Sequence, residues 1–236
     1  MEQIEFTILM PCLNEEKTIV SCIEEAFAYI KEKNLSAEVL VADNGSTDAS
    51  VELAIEAGAR VVTIAEKGYG NALRGGLQQA KGKYVIMGDC DGSYPFSELD
   101  DFVEKLRQGY HLVMGDRFAV RMEPGAMSFS HRYVGVPILS ALGRWRFRTD
   151  VRDFHCGLRG FERQKGLELK LKCDGMEFAT EMIAAFTKAN CRIAQVPVRL
   201  RRDGRNGRSH LRSVRDGWRH LTYIFTATKR KRGRGE

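Results

Sequence analysis

The chain has 236 residues, 43% of them hydrophobic and 29% charged, which suits one domain with a large core, or one domain plus a small appendage. Its net charge of +6 is unevenly placed: from Arg199 onward 13 Lys and Arg face 3 acidic residues, a net of +10, so Met1 to Val198 carries −4. No apolar run reaches the roughly 18 residues of a bilayer-spanning helix, and the six cysteines form no C-x-x-C pair, so reduced cytosolic thiols are expected, with peripheral membrane attachment left open.

Short apolar runs alternate with helical patterns through the first half, the signature of βαβ units and a parallel sheet. Phe6–Met10 reads as the first strand, followed by a helical face of Ile19, Ile23, Phe27 and Ile30. Val39–Ala42 is a second strand, and Ser46, Thr47 and Asp48 offer N-caps for a helix carrying Val51 and Ile55. Arg60–Ile64 is a third, a glycine-punctuated helix spans Tyr69–Ala80, and Tyr84–Met87 is a fourth. Phe96–Gln108 reads as a helix before a fifth strand at His111–Met114. Beyond residue 118 the pattern loosens into a polar loop with Arg121, His131 and Arg132. After it come an apolar helix at Ile138–Trp145, a helix at Phe178–Lys188, a strand at Arg192–Val198 and an arginine-rich loop at Arg199–Arg208. The last helix, about Leu211–Thr226, lines up Leu211, Val214, Trp218, Leu221 and Phe225, with Arg212, Arg215 and Arg219 off that stripe. A basic helix of this kind beside a Lys/Arg tail suits a lipid interface; packing on its own domain is the alternative.

The fourth strand ends in Asp89-Cys-Asp91, and alternation puts both carboxylates on one face with Cys90 opposite. Such a pair needs a cation or a shared proton to offset its repulsion, and hard oxygen ligands select Mg2+ or Mn2+ shared with substrate phosphates. Asp-x-Asp-Gly is also ordinary turn chemistry. In open sheets ligands sit outside the carboxyl ends of strands, and there the first two strands carry Pro11-Cys-Leu-Asn-Glu-Glu16 and Asp43-Asn-Gly-Ser-Thr-Asp48.

Glycines 68, 70 and 75 fail as a dinucleotide fingerprint, since Leu73 takes the third glycine position and the motif follows the third strand. Lys67 and those glycines can still present charge and backbone to a phosphate. Arg117, Arg132 and Arg205 are candidates for anion contacts, against pairing with a neighbouring carboxylate or simple solvation. His155 and Cys156 are adjacent and so unsuited to a nucleophile–base pair. Asp153 and Glu181 are the candidate bases, Glu181 against the alternative of a carboxylate at a helix N-terminus.

Taken in order, Pro11-x-x-Asn14-Glu15, Asp43-Asn-Gly-Ser-Thr-Asp48, Lys67-Gly-x-Gly-x-Ala72, Gly88-Asp-Cys-Asp91, Gly115-Asp-Arg117, Cys156-Gly-Leu-Arg159, Glu181, Val196-Pro197 and Gly207-Arg-Ser-His210 resemble the family 2 glycosyltransferases. Within them they resemble the dolichyl-phosphate mannosyltransferase and polyprenyl-phosphate glycosyltransferase group. The resemblance implies an α/β GT-A fold over residues 1–208, with a mostly parallel sheet and flanking helices; 209–236 form a basic amphipathic helix and tail. It implies substrate contacts from Pro11, Asn14, Glu15, Asp43, Lys67, Asp89, Cys90, Asp91, Arg117, Arg132 and Arg205. Asp89 and Asp91 would hold Mg2+ or Mn2+. Asn44, Ser93, Gln195 and His210 depart from the usual Asp, Gln, Glu and Lys.

The expected reaction is an inverting transfer from a UDP- or GDP-sugar to a polyprenyl phosphate, with Asp89, Asp91, Arg117 and, where a hydroxyl must lose its proton, Asp153 or Glu181 as catalytic groups. A soluble hydroxyl acceptor and a nucleic-acid-binding role for the basic end are the alternatives, though the carboxylates would repel a phosphate backbone. No nucleic acid partner is expected, and the place of action is cytoplasmic or the cytoplasmic face of a membrane.

Overall fold

The computed structural model describes residues 4–205 and 213–227. Seven strands form one sheet: β1 (Phe6–Cys12), β2 (Ala37–Asp43), β3 (Arg60–Thr63), β4 (Tyr84–Met87), β5 (Leu112–Asp116), β6 (Arg159–Glu162) and β7 (Ile193–Pro197). Their spatial order is β3-β2-β1-β4-β6-β5-β7. All pairings are parallel except those of β6, which runs antiparallel to both β4 and β5.

The helices are α1 (Ile19–Glu32), α2 (Ser50–Glu56), α3 (Tyr69–Gln79), α4 (Asp100–Arg107), α5 (Val136–Phe147), α6 (Arg163–Glu168), α7 (Phe178–Lys188) and α8 (Ser213–Thr226). They cover both faces of the sheet, which is why β1, β2 and β4 are buried along nearly their whole length. One core layer joins Ile8, Met10 and Ile86 to α1 and α4; the other joins Leu9, Val85 and Met87 to α3 and α7. Even and odd residues of one strand thus serve different layers.

The five expected strands are present to within a few residues, as are the helices over 138–145 and 178–188. Three elements were not foreseen, one of them the short helix α6. β6 inserts between β4 and β5, so strands adjacent in the chain are not adjacent in the sheet. Its Arg-Gly-Phe-Glu sequence lacks any apolar run. The third is a π-helical turn at His131–Gly135, which leads directly into α5.

The C-terminal helix docks by a face other than the expected stripe. His220 and Ile224 are buried against the body, and Arg146 donates to the Ala227 carbonyl at 2.6 Å. Trp218 and Phe225 point outward at 71% and 59% exposure. Leu211 lies outside the described residues, as does the Val214 side chain.

Candidate active site

The carboxyl ends of β1, β2 and β4 meet at one edge of the sheet, and their loops are stitched together by side chains. Asn14, held at φ 57°, accepts from the Thr47 amide at 2.7 Å and donates its own amide to Ser46 Oγ at 2.9 Å. Asp43 turns back on its loop and accepts from the Gly45 and Ser46 amides, both at 3.0 Å. Asn44 donates to the Ile64 and Glu66 carbonyls and accepts from the Gly68 amide at 2.7 Å. Aspartate could not supply those two donated bonds, which explains the amide at this position. Lys67 Nζ reaches the Asn44 carbonyl at 2.8 Å.

The glycines around Lys67 serve packing. A Cβ on Gly68 or Gly70 would overlap the Asp174 or Cys173 carbonyl, and the Gly70 amide donates to the Asp174 carbonyl at 2.9 Å. Their amides are therefore occupied by protein rather than turned toward a phosphate.

Asp89 and Asp91 stand close enough to feel one another. Burial and then the Asp91 charge push the Asp89 carboxyl up to about 6. Tyr69 Oη donates to Asp89 Oδ1 at 2.9 Å, and Gly157 lies so close that a Cβ there would overlap Asp89 Oδ2. Asp91 accepts from the Ser93 amide and hydroxyl on one oxygen and from Arg205 Nη2 at 2.7 Å on the other. Arg205 also spans to Glu15 Oε1 at 3.1 Å. Burial pushes Glu15 up to about 7, against the opposing pull of Arg205. Cys90 points away, as alternation requires, and its thiol donates to the Pro11 carbonyl at 3.1 Å.

Arg117 extends from the end of β5 and is buried with Asp153. Nε and Nη2 meet the two carboxylate oxygens at 2.6 and 2.9 Å. Burial alone would raise Asp153, but the guanidinium outweighs it and holds the carboxyl below its ordinary value. A carboxylate so engaged is a poor proton acceptor, so the expected base role of Asp153 gives way to that of an arginine anchor. The side chain of Glu181 is likewise committed: it accepts from the Lys172 and Cys173 amides, the latter at 2.7 Å, and braces the loop before α7. Arg132 is half-buried with its guanidinium 5.3 Å from the Tyr133 ring centre, and among the described residues no carboxylate pairs with it.

Sequence reasoning assigned no structural task to four groups that the structure puts to use. Tyr69 and Ser93 orient the aspartates. Arg159, 1% exposed, holds the 154–156 loop through the Phe154 and Cys156 carbonyls, at 2.9 and 2.8 Å. Gln195 accepts from the Arg152 amide at 2.6 Å and donates to the Asp150 carbonyl at 3.1 Å, fixing the chain just before Asp153. A glutamate could make only the first bond.

A family model described as "Glycosyl transferase family 2" matches residues 7–166. The chain belongs to glycosyl transferase family 2. It is 36% identical over 93% of its length to the "Low-salt glycan biosynthesis hexosyltransferase Agl6" of Haloferax volcanii, covering 52% of that protein. It is 26% identical to the "Dolichyl-phosphate beta-glucosyltransferase" of Drosophila melanogaster, over 83% of this chain and 67% of that protein. The glycosyltransferase thus spans about half to two thirds of the length of these curated relatives. Among solved structures it resembles glucosyl-3-phosphoglycerate synthase from Mycobacterium tuberculosis in complex with Mn2+, UDP and glucosyl-3-phosphoglycerate, with a TM-score of 0.69, 25% identity, and coverage of 93% of this chain and 79% of that one. The fold is that of the GT-A neighbours, and the expected family and enzyme class hold.

Proposed function

We propose that this glycosyltransferase moves a sugar from a UDP- or GDP-linked donor to a polyprenyl or dolichyl phosphate, inverting the anomeric centre, with Mg2+ or Mn2+ held by Asp89 and Asp91. The observation that carries the donor half is the meeting of Glu15, Asp43, Asp89 and Asp91 at one sheet edge, with a guanidinium already between Glu15 and Asp91. A place that draws a guanidinium favours positive charge, and two hard carboxylates suit a divalent ion that takes its remaining ligands from phosphates. Among the described residues no third His, Cys, Asp or Glu joins them as a ligand group. Such an ion supplies charge neutralisation of the leaving diphosphate.

The residues of the chain have separable tasks in this reading. Tyr69 and Ser93 hold the two carboxylates in place, and Pro11, Asn14, Asp43 and Lys67 shape the nucleoside side. Arg205 contributes a further cation for the diphosphate, while Arg117, fixed by Asp153, and Arg132 attract an anionic acceptor. An acceptor that is already ionised needs no base, consistent with both candidate bases being engaged elsewhere.

The lipid half rests on the outer surfaces of α5 and α8. Val134, Ile138 and Trp145 recur at helical spacing on the exposed side of the π turn and α5, and Trp218 and Phe225 are exposed on the neighbouring α8. Arg132, Arg144 and Arg148 lie along the same segment, a combination suited to an anionic interface. No helix among the described residues is long and apolar enough to cross a membrane. In this reading 1–208 carries catalysis, and 209–236, joined by the outer face of α5, serves peripheral attachment on the cytoplasmic side.

A second reading, transfer to a soluble acceptor, is favoured by the likeness to glucosyl-3-phosphoglycerate synthase. Turnover of UDP- and GDP-sugars with Mg2+ or Mn2+, offered polyprenyl phosphate or soluble hydroxyl compounds, separates the two. Turnover on lipid phosphate together with flotation on anionic liposomes is the expected result. Turnover on soluble acceptors alone would overturn the lipid reading, and turnover unchanged in EDTA would remove the metal.

A further inference from the structure

Beside the aspartate pair lie two thiols. β1 and β4 pair in parallel with Leu9 opposite Met87, the Gly88 amide continues the contact to the Leu9 carbonyl at 3.1 Å, and the same offset carried past the end of β4 brings Cys90 to the level of Cys12. Both belong to the core layer that also holds Ile8, Met10 and Ile86, so their side chains leave the strand ends on one face. The Cys90 thiol donates to the carbonyl of Pro11, the residue before Cys12, at 3.1 Å, and the Cys12 thiol lies 3.8 Å from Ser46 Oγ. Neighbouring strands run about 4.7–4.9 Å apart, inside the roughly 4.4–6.8 Å between Cα atoms that a disulfide spans.

We propose that Cys12 and Cys90 are a reversible oxidation site, joined into a disulfide by a peroxide and parted by a dithiol reductant. In the forward step the Cys12 sulfur takes one oxygen from hydrogen peroxide as a sulfenic acid, releasing one water. The Cys90 sulfur then displaces the hydroxyl group, forming the S–S bond and releasing a second water. Two electrons and two protons leave the thiols, and the peroxide is reduced. Both thiols are buried, at 2% and 1% exposure, so the reaction proceeds through local opening of the strand-end loops. Cys90 is the residue between Asp89 and Asp91. Drawing it toward β1 removes its bond to Pro11 and clamps the loop that carries both carboxylates, and the effect on donor affinity rests on the functional reading above.

The test treats the full chain with hydrogen peroxide and maps peptides by mass, for the wild type, Cys12→Ala and Cys22→Ala. Cys22 is the control because it is a third buried cysteine of the same layer. We expect a Cys12–Cys90 cross-linked peptide, lighter by two hydrogens, in the wild type and Cys22→Ala but not in Cys12→Ala. Dithiothreitol should reverse it, and amide exchange over residues 89–93 should slow in the oxidised form. Affinity for UDP or GDP with Mg2+ should fall about tenfold or more on oxidation. No cross-link, a Cys12–Cys22 link in its place, or unchanged exchange over 89–93 would overturn the site. Cross-linking with slowed exchange in a protein whose reduced form binds neither nucleotide would uphold the site and sink the donor reading instead.

Discussion

The donor edge and the α5–α8 surface are built on opposite principles. At the edge, the β1, β2 and β4 loops are held by side chains of the protein itself: Asn14 accepts from Thr47 across two loops, Asp43 and Ser93 bond within their own turns, Tyr69 of α3 reaches Asp89, and Arg205 reaches Asp91. On the α5–α8 side, Tyr133, Ile138, Trp145, Trp218 and Phe225 face outward, and among the described residues no carboxylate pairs with Arg132, Arg144 or Arg148. One region bonds most of its polar groups within the protein, leaving the buried Arg205 Nε without a partner among the described residues, and is shaped in advance for a small charged ligand. The other displays apolar area and positive charge that only something outside these residues can cover.

Arg117 sits on the border between them, and it gives the sharpest test. Arg117→Ala leaves the fully buried Asp153 carboxylate without its guanidinium, which should cost about 3–5 kcal/mol in denaturant unfolding. Arg132→Ala, with no such partner, should shift stability by less than about 0.5 kcal/mol while weakening acceptor use. Equal stability losses in the two variants would erase the contrast.

Asp91→Asn addresses the donor edge directly. It should lower turnover on the order of 10²-fold or more while the protein stays folded, as read from steady-state kinetics and circular dichroism. Retained turnover would mean that the edge is an internal network and nothing more.

The open surface should behave in reverse. Replacing Trp218 and Phe225 together by serine should abolish flotation on anionic liposomes and change the unfolding free energy by less than about 0.5 kcal/mol. Donor binding, measured by thermal shift, should be untouched. A large loss of stability would place those rings in a fold contact instead.

The smallest effect concerns pH. Glu15, raised to about 7 by burial, binds its proton more tightly in the folded chain than in the unfolded one. Between its ordinary value of 4.5 and about 7 the folded state therefore holds more protons, and stability falls as pH rises through that window. His220, pushed down by burial to about 4, acts oppositely: its contribution is lost as pH falls from 6.5 toward 4. Melting curves of wild type and Glu15→Gln should run together below about pH 4.5 and separate between there and about pH 7, with the variant then relatively more stable. Parallel curves would show that Glu15 titrates as an ordinary carboxylate.

The strand ends were legible because turn-forming and acidic residues follow each apolar run, and a parallel sheet gathers such ends at one edge. What the chain could not disclose were pairings decided over long separations. Asp153 and Arg117 stand 36 residues apart, and only the insertion of β6 beside β5 brings that loop to the β5 end. Glu181 looked available because the loop it braces has no pattern of its own. Of the expected α8 stripe, Trp218 and Phe225 face outward, and docking uses His220 and Ile224 instead, a choice set by the neighbouring helices.

Asn44 and Gln195 bear on any attempt to stabilise this enzyme by making it more like its relatives. Restoring commonly occurring residues is a productive engineering route, often worth about 0.5–2 kcal/mol per change. Here it would put an acidic group where each amide now gives hydrogen bonds to carbonyls of Ile64, Glu66 and Asp150. Two oxygens would then face each other with no proton between them. At these two positions an acidic residue is the wrong template, and a library that introduces Asn44→Asp or Gln195→Glu would be depleted of folded members.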